Sequence, residues 1–184
     1  MYSKIVVSKK HFSNEWCDKI ISHMDGKEPN PDLGKGGISR KCTVTLLQKS
    51  DPIFQDVYDE LIAYVKQHID KLNVDIDYNI DGNTMQYITY NPGDFVAVHN
   101  DTRTVKQAID FKTNRKLSMT VILSNPDEYT GGEFIFDPLV KLPMKVEGKG
   151  TTALFTSHSP HSVTKILSGQ RKILFIFLTG PEWR

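Results

Sequence analysis

Apolar residues recur along this chain with two different periods, three to four in the first part and two in the rest. Trp16, Ile20, Ile21 and Met24 share one face of a helix that Ser13 is placed to cap and Asp25-Gly26 to end. Phe54, Val57, Leu61, Val65, Ile69 and Leu72 predict a second, longer amphipathic helix, with Asp51 as its N-cap and Pro52 at its first helical position. Short strands are predicted over 3–8 and 43–47. Between them, residues 27–37 carry two prolines and three glycines, which reads as a mobile loop.

Beyond the second helix the pattern changes to strands, predicted over 84–90, 95–101, 117–123, 133–136, 151–155, 161–166 and 171–178. Turn signals such as Asn91-Pro92-Gly93, Gly131-Gly132 and Ser168-Gly169 separate them. Helices followed by many short strands argue for an α+β fold, an antiparallel sandwich or barrel with the N-terminal helices packed on one sheet. A chain of 184 residues fits a single domain, 1–184, burying roughly 70% of its unfolded surface without staples.

Composition mostly removes options. Lys and Arg number 23 against 22 Asp and Glu, so no overall field draws in nucleic acid or an anionic membrane. Cys17 and Cys42 are the only cysteines, too few for a disulfide framework or a zinc cluster, and a reducing compartment is expected. No leader pattern opens the sequence and no apolar run reaches bilayer length, so a cytoplasmic protein without a membrane partner is expected.

One constellation carries chemistry. His99 and Asp101 are two residues apart in a predicted strand, so both can face inward, roughly 7 Å apart at the backbone. A third ligand must come from another strand. His161 is the better candidate, because Ser162-Val163-Thr164 carries a strand onward, whereas His158 lies in the turn Ser157-His158-Ser159-Pro160. Two imidazoles and one carboxylate on one side of an ion leave the opposite positions open, as suits non-haem Fe(II). Arg171 sharpens the pattern: strand period sets it on the face of Ile173, Phe175 and Phe177, where a guanidinium needs an anion. The competing reading is a hydrogen-bonded histidine at a strand end and a satisfied core histidine, and it leaves the inward arginine unexplained.

From about Phe12 to its end the chain resembles the 2-oxoglutarate- and Fe(II)-dependent oxygenases, most closely the prolyl 4-hydroxylase-like branch. Three segments carry the resemblance: Tyr90-Asn91-Pro92-Gly93-Asp94-Phe95 leading to His99-Asn100-Asp101, Gly131-Gly132-Glu133-Phe134, and His161-Ser162-Val163-Thr164 through Ser168-Gly169-Gln170-Arg171. It implies a double-stranded β-helix (jelly-roll) core, Fe(II) on His99, Asp101 and His161, and 2-oxoglutarate anchored by Arg171. Tyr90 and Ser118 match cosubstrate contacts by the same resemblance; the bland alternative for Tyr90 is a sheet aromatic with its hydroxyl at the surface. Arg40 matches a substrate contact, in a candidate rim segment 27–41, with a second candidate at 102–116 directly after the metal pair; both segments also read as ordinary solvated loops. Trp183 fits packing against the helices better than recognition.

The implied reaction consumes O2 and 2-oxoglutarate, releases succinate and CO2, and hydroxylates a peptidyl residue, proline first; ascorbate is an implied auxiliary. Oxidation of a free amino acid or small metabolite is the second enzymatic reading. Nucleic-acid demethylation is disfavoured by the charge balance and by the absence of a second arginine close after Arg171. A non-catalytic jelly-roll binding module is the alternative of another class, and it would be favoured by loss of a ligand or of the arginine, neither of which is lost.

Overall fold

The computed structural model describes residues 4–33, 39–80, 84–102, 114–136 and 146–181. The chain runs β1 (Ile5–Ser8), α1 (Asn14–Met24), β2 (Arg40–Lys41), β3 (Thr43–Gln48), α2 (Phe54–Leu72), β4 (Thr84–Tyr90), β5 (Phe95–His99), β6 (Asn114–Ile122), β7 (Tyr129–Gly131), β8 (Phe134–Phe136), β9 (Thr152–Thr156), β10 (His161–Val163), β11 (Ile166–Gly169) and β12 (Arg171–Gly180). A six-stranded sheet has the order β1-β9-β6-β12-β4-β3, and a four-stranded sheet the order β2-β5-β10-β8. All pairings are antiparallel, and β11 with β7 forms a separate two-stranded ribbon.

Alternation along the large sheet explains its two cores. On β12, Leu174, Ile176 and Leu178 turn toward the helices, where they meet Ile20, Val57, Leu61 and Val65. Ile173 and Phe175 turn the other way and meet Val96, Phe134 and Val163 of the smaller sheet. Covered on both faces, β12 reads as a nearly continuous apolar run from Ile173 to Leu178. Each fully buried apolar side chain contributes about 1.5–3 kcal/mol, so the helical layer acts as the brace that keeps the large sheet stiff. The site lies between the two sheets.

Ser13 caps α1 as expected, its Oγ accepting from the Trp16 N–H at 3.2 Å. The expectation for α2 needs correction. Its N-cap is Ile53, without a side-chain hydrogen bond. Asp51 turns backward instead, accepting from the Gln48 N–H at 2.6 Å and pairing with Lys27 and with His23 Nε2, the latter at 3.1 Å. A full charge partner outbids an uncharged cap, and these contacts hold the Asp51 carboxyl below the usual carboxylate range against the opposing effect of burial. Another difference is that the strand expected over 161–166 is two strands, β10 and β11, in different sheets. Residues 34–38 and 103–113 of the two rim segments, and Trp183, lie outside the described residues. At the end of the first segment Arg40 and Lys41 form a strand rather than loop, paired with β5.

Candidate active site

Strand pairing builds the site. His99 stands opposite His161, while Val96 stands opposite Val163, so β5 spends three steps where β10 spends two. The extra residue is a β-bulge, which turns both Val96 and His99 inward and pushes Val98 out to 58% exposure. Simple alternation could not have placed Val96 and His99 on one face. Past the end of β5, the Asp101 N–H donates to the Ser157 carbonyl at 2.8 Å, tying the carboxylate-bearing residue to the turn before β10.

Each side chain is aimed by a second contact. Nδ1 of His99 donates to the Ala97 carbonyl at 2.9 Å, and Nδ1 of His161 donates to the Ser159 carbonyl at 3.0 Å. A carbonyl can only accept, so in both rings the proton is on Nδ1 and the Nε2 lone pair is left for the site. His99 Nε2 lies 3.3 Å from Asp101 Oδ1, and His161 Nε2 lies 3.4 Å from Asp101 Oδ2. One ligand atom from each of the three lies within 4.8 Å of the others. Phe155 and Phe134 line the back of the His161 ring, with centroids 4.8 Å and 5.6 Å away.

Electrostatics separates the two imidazoles. Burial lowers the pKa of His161 below the usual imidazole value and keeps it neutral, the form a metal needs. At His99 burial also opposes charge, but contact with the Asp101 carboxylate outweighs it and the net shift is upward. Burial alone would raise Asp101; the two imidazoles and the Ser118 hydroxyl reverse that and hold its carboxyl below the ordinary range.

The rest of the cavity continues from Asp101 across the inner face of the large sheet to Arg171, which is 1% exposed. Its Cζ lies 5.3 Å from the centroid of the Tyr90 ring, directly across the β4–β12 pairing. Nε and Nη1 of Arg171 are buried without a hydrogen-bond partner. Such a group is costly unless an anion completes it. Burial pushes the Tyr90 phenol well above its usual range, so at neutral pH it offers a proton to that anion. Gly132 makes room for the arginine: at φ 66°, a Cβ there would fall 2.3 Å from Ile166 Cδ1 and 3.1 Å from Arg171 Cδ.

Ser118, matched to a cosubstrate contact by the resemblance, stands beside the aspartate in the structure. Its Oγ donates to Asp101 Oδ2 at 2.7 Å. With that proton committed, the contact with Ser157 Oγ at 3.1 Å must have Ser157 as donor. Ser118→Ala should therefore weaken divalent metal binding by about tenfold or more, the usual consequence of removing a hydrogen bond behind a ligand. Calorimetric titration with Mn(II) checks this, and native affinity in the variant would refute it.

Thr120 was missed. It is 2% exposed, lines the cavity, and its Oγ1 has no partner. The signal was available, since Ser118 and Thr120 are alternate polar residues in the otherwise apolar run 117–122. Arg40 also lines the cavity, carried inward beside Val96 by the β2–β5 register. His158 lies in the turn after β9 and is not among the three clustered residues.

Residues 85–179 match the family model of the 2OG-Fe(II) oxygenase superfamily. A PKHD-type hydroxylase of Shewanella sp. strain MR-7 is 26% identical over 170 residues, which span 91% of this chain and 74% of that relative. Among solved structures, the viral collagen prolyl hydroxylase of Paramecium Bursaria Chlorella virus-1, determined with 2OG, superposes with a TM-score of 0.72 at 20% identity, covering 98% of this chain and 97% of that one. A prolyl hydroxylase of Trichoplax adhaerens, determined with a peptide fragment of the hypoxia inducible factor oxygen degradation domain, superposes with a TM-score of 0.67 at 14% identity, covering 95% and 82%. The shared fold is the double-stranded β-helix expected from the sequence.

Proposed function

Starting from the fact that the chain belongs to the 2OG-Fe(II) oxygenase superfamily, we propose that it hydroxylates a peptidyl residue, proline first, with Fe(II) held by His99, Asp101 and His161 and 2-oxoglutarate anchored by Arg171. The observation that carries this reading is the buried, partnerless edge of Arg171 in the same cavity as the His-Asp-His cluster. A dicarboxylate with a keto acid at one end answers both needs, chelating the ion with that end and filling the guanidinium fork with the other. Tyr90 and Thr120 would add a hydroxyl each, which gives the orphaned Thr120 Oγ1 a partner.

Together with O2, the bound iron and cosubstrate supply an oxidant strong enough to remove hydrogen from an unactivated carbon. The chain's own residues do the rest. Hydrogen bonds from Nδ1 leave Nε2 of His99 and of His161 for the ion, Asp101 would supply the one negative ligand, and Phe134, Phe155 and Ile173 keep bulk water from the back of the cavity. Overall, one O2 and one 2-oxoglutarate give succinate, CO2 and a hydroxylated product.

A peptide substrate is supported by the names of similar proteins, one of them determined with a peptide fragment. Ascorbate as an auxiliary and a cytoplasmic location belong to the same proposal. No helix among the described residues is long and apolar enough to cross a membrane. Succinate release, measured across proline-containing peptides, free amino acids and methylated oligonucleotides, tests the reading. Stimulation by proline peptides together with a gain of one oxygen on the prolyl residue is expected. Stimulation by free amino acids alone would move the assignment to a small metabolite.

A further inference from the structure

Arg40 is a second guanidinium in the cavity, and the proposed cosubstrate does not need it. It is half-buried, whereas Arg171 is fully buried. Its Nε is buried with no hydrogen-bond partner, and among the described residues no carboxylate lies within ion-pair distance of it. The acid beside its strand is already engaged: Asp94 lies 3.4 Å from Lys41 Nζ and accepts from the Asn91 N–H at 2.9 Å. The β2–β5 pairing fixes the Arg40 backbone opposite Val96. Arg40 lines the same cavity as Cys42, Tyr90 and His99.

Charge balance decides what it waits for. A divalent ion and Arg171 together match the Asp101 carboxylate and the two carboxylates of 2-oxoglutarate. Among the described residues Arg40 is then left as one net positive charge lining the same cavity. A buried or half-buried guanidinium left unmatched is unfavourable, and a carboxylate is the partner whose geometry fits it.

We propose that Arg40 is a specificity-determining residue that binds a carboxylate of the substrate, either the α-carboxylate of a free amino acid or C-terminal residue, or the side chain of an acidic residue next to the hydroxylated position. The inference rests on the oxygenase reading above and narrows its substrate class. Carboxylates from these sources share the same chemistry and differ only in what surrounds them.

The test is calorimetric titration of the full chain, loaded with Mn(II) and 2-oxoglutarate, in matched pairs. The pairs are L-proline against L-prolinamide, a proline-terminated peptide against its C-terminal amide, and an internal proline flanked by Glu against the same peptide with Gln. At least one carboxylate-bearing member should bind about tenfold tighter than its neutral partner, and the member that does so identifies the source. In Arg40→Gln that preference should fall to about twofold or less, while Arg40→Lys should keep part of it. Equal binding in all three pairs, or a preference that survives Arg40→Gln, overturns the proposal. A rise in the 2-oxoglutarate dissociation constant on Arg40→Gln, with substrate preference intact, also overturns it by assigning Arg40 to the cosubstrate. Succinate release by the native protein, followed in parallel, reports on the oxygenase reading separately, because the binding preference is read without turnover.

Discussion

Arg171→Ala is expected to weaken 2-oxoglutarate binding to the Mn(II)-loaded protein by roughly 30-fold to several thousand-fold, the equivalent of about 2–5 kcal/mol for cutting one side of a buried charge pair. The size follows from burial. At 1% exposure the guanidinium has no water to fall back on, and its Nε and Nη1 have no protein partner. The carboxylate it would hold gains nothing comparable when it goes, since Tyr90 and Thr120 offer only neutral hydroxyls. Arg171→Lys should fall between the two, because the charge remains but a single ammonium cannot bridge both carboxylate oxygens. Calorimetry reads the series directly. An Arg171→Ala protein with native affinity would mean that the anion is held elsewhere in the molecule.

The second large effect separates two neighbouring histidines. His161→Ala should lower Mn(II) affinity by roughly 100-fold or more, beyond the 10- to 100-fold that loss of a mere supporting contact costs. His158→Ala should leave it close to native. His161 pairs with His99 across the sheet and its Nε2 lies 3.4 Å from Asp101, whereas His158 sits in the turn before β10. Because the His161 ring packs against Phe155, removing it opens a space, and His161→Gln serves as the control that fills most of it. Loss of metal binding in His158→Ala with retention in His161→Ala would reverse the ligand assignment.

The central strand β12 was legible because both of its faces are covered, which makes its apolar run long. The first helix was equally plain, its cap serine and its inward face both encoded locally. Asp51 shows where local signals fail: Asp51-Pro52 looks like a helix start, yet the carboxylate is claimed by Lys27 and His23, residues no local window connects to it. The bulge at Ala97-Val98 was hidden for a related reason, since it exists only in the pairing of β5 with β10. Arg40 was read as part of a loop because two residues of strand between turn-rich segments give no period to detect. At the site, the two histidines, the aspartate and the arginine stood out by spacing. The contact of Ser118 with Asp101 was not legible, since only the third dimension brings its hydroxyl there. Thr120 was recoverable from alternation alone.

The central claim is that the His-Asp-His cluster and Arg171 are two ends of one chelating cavity. Titrating 2-oxoglutarate into the protein with and without saturating Mn(II) tests it most directly, since a ligand that touches both the ion and the arginine must be coupled to the ion. The account predicts an affinity at least about tenfold higher with Mn(II) present, and the same affinity with and without the ion would contradict it.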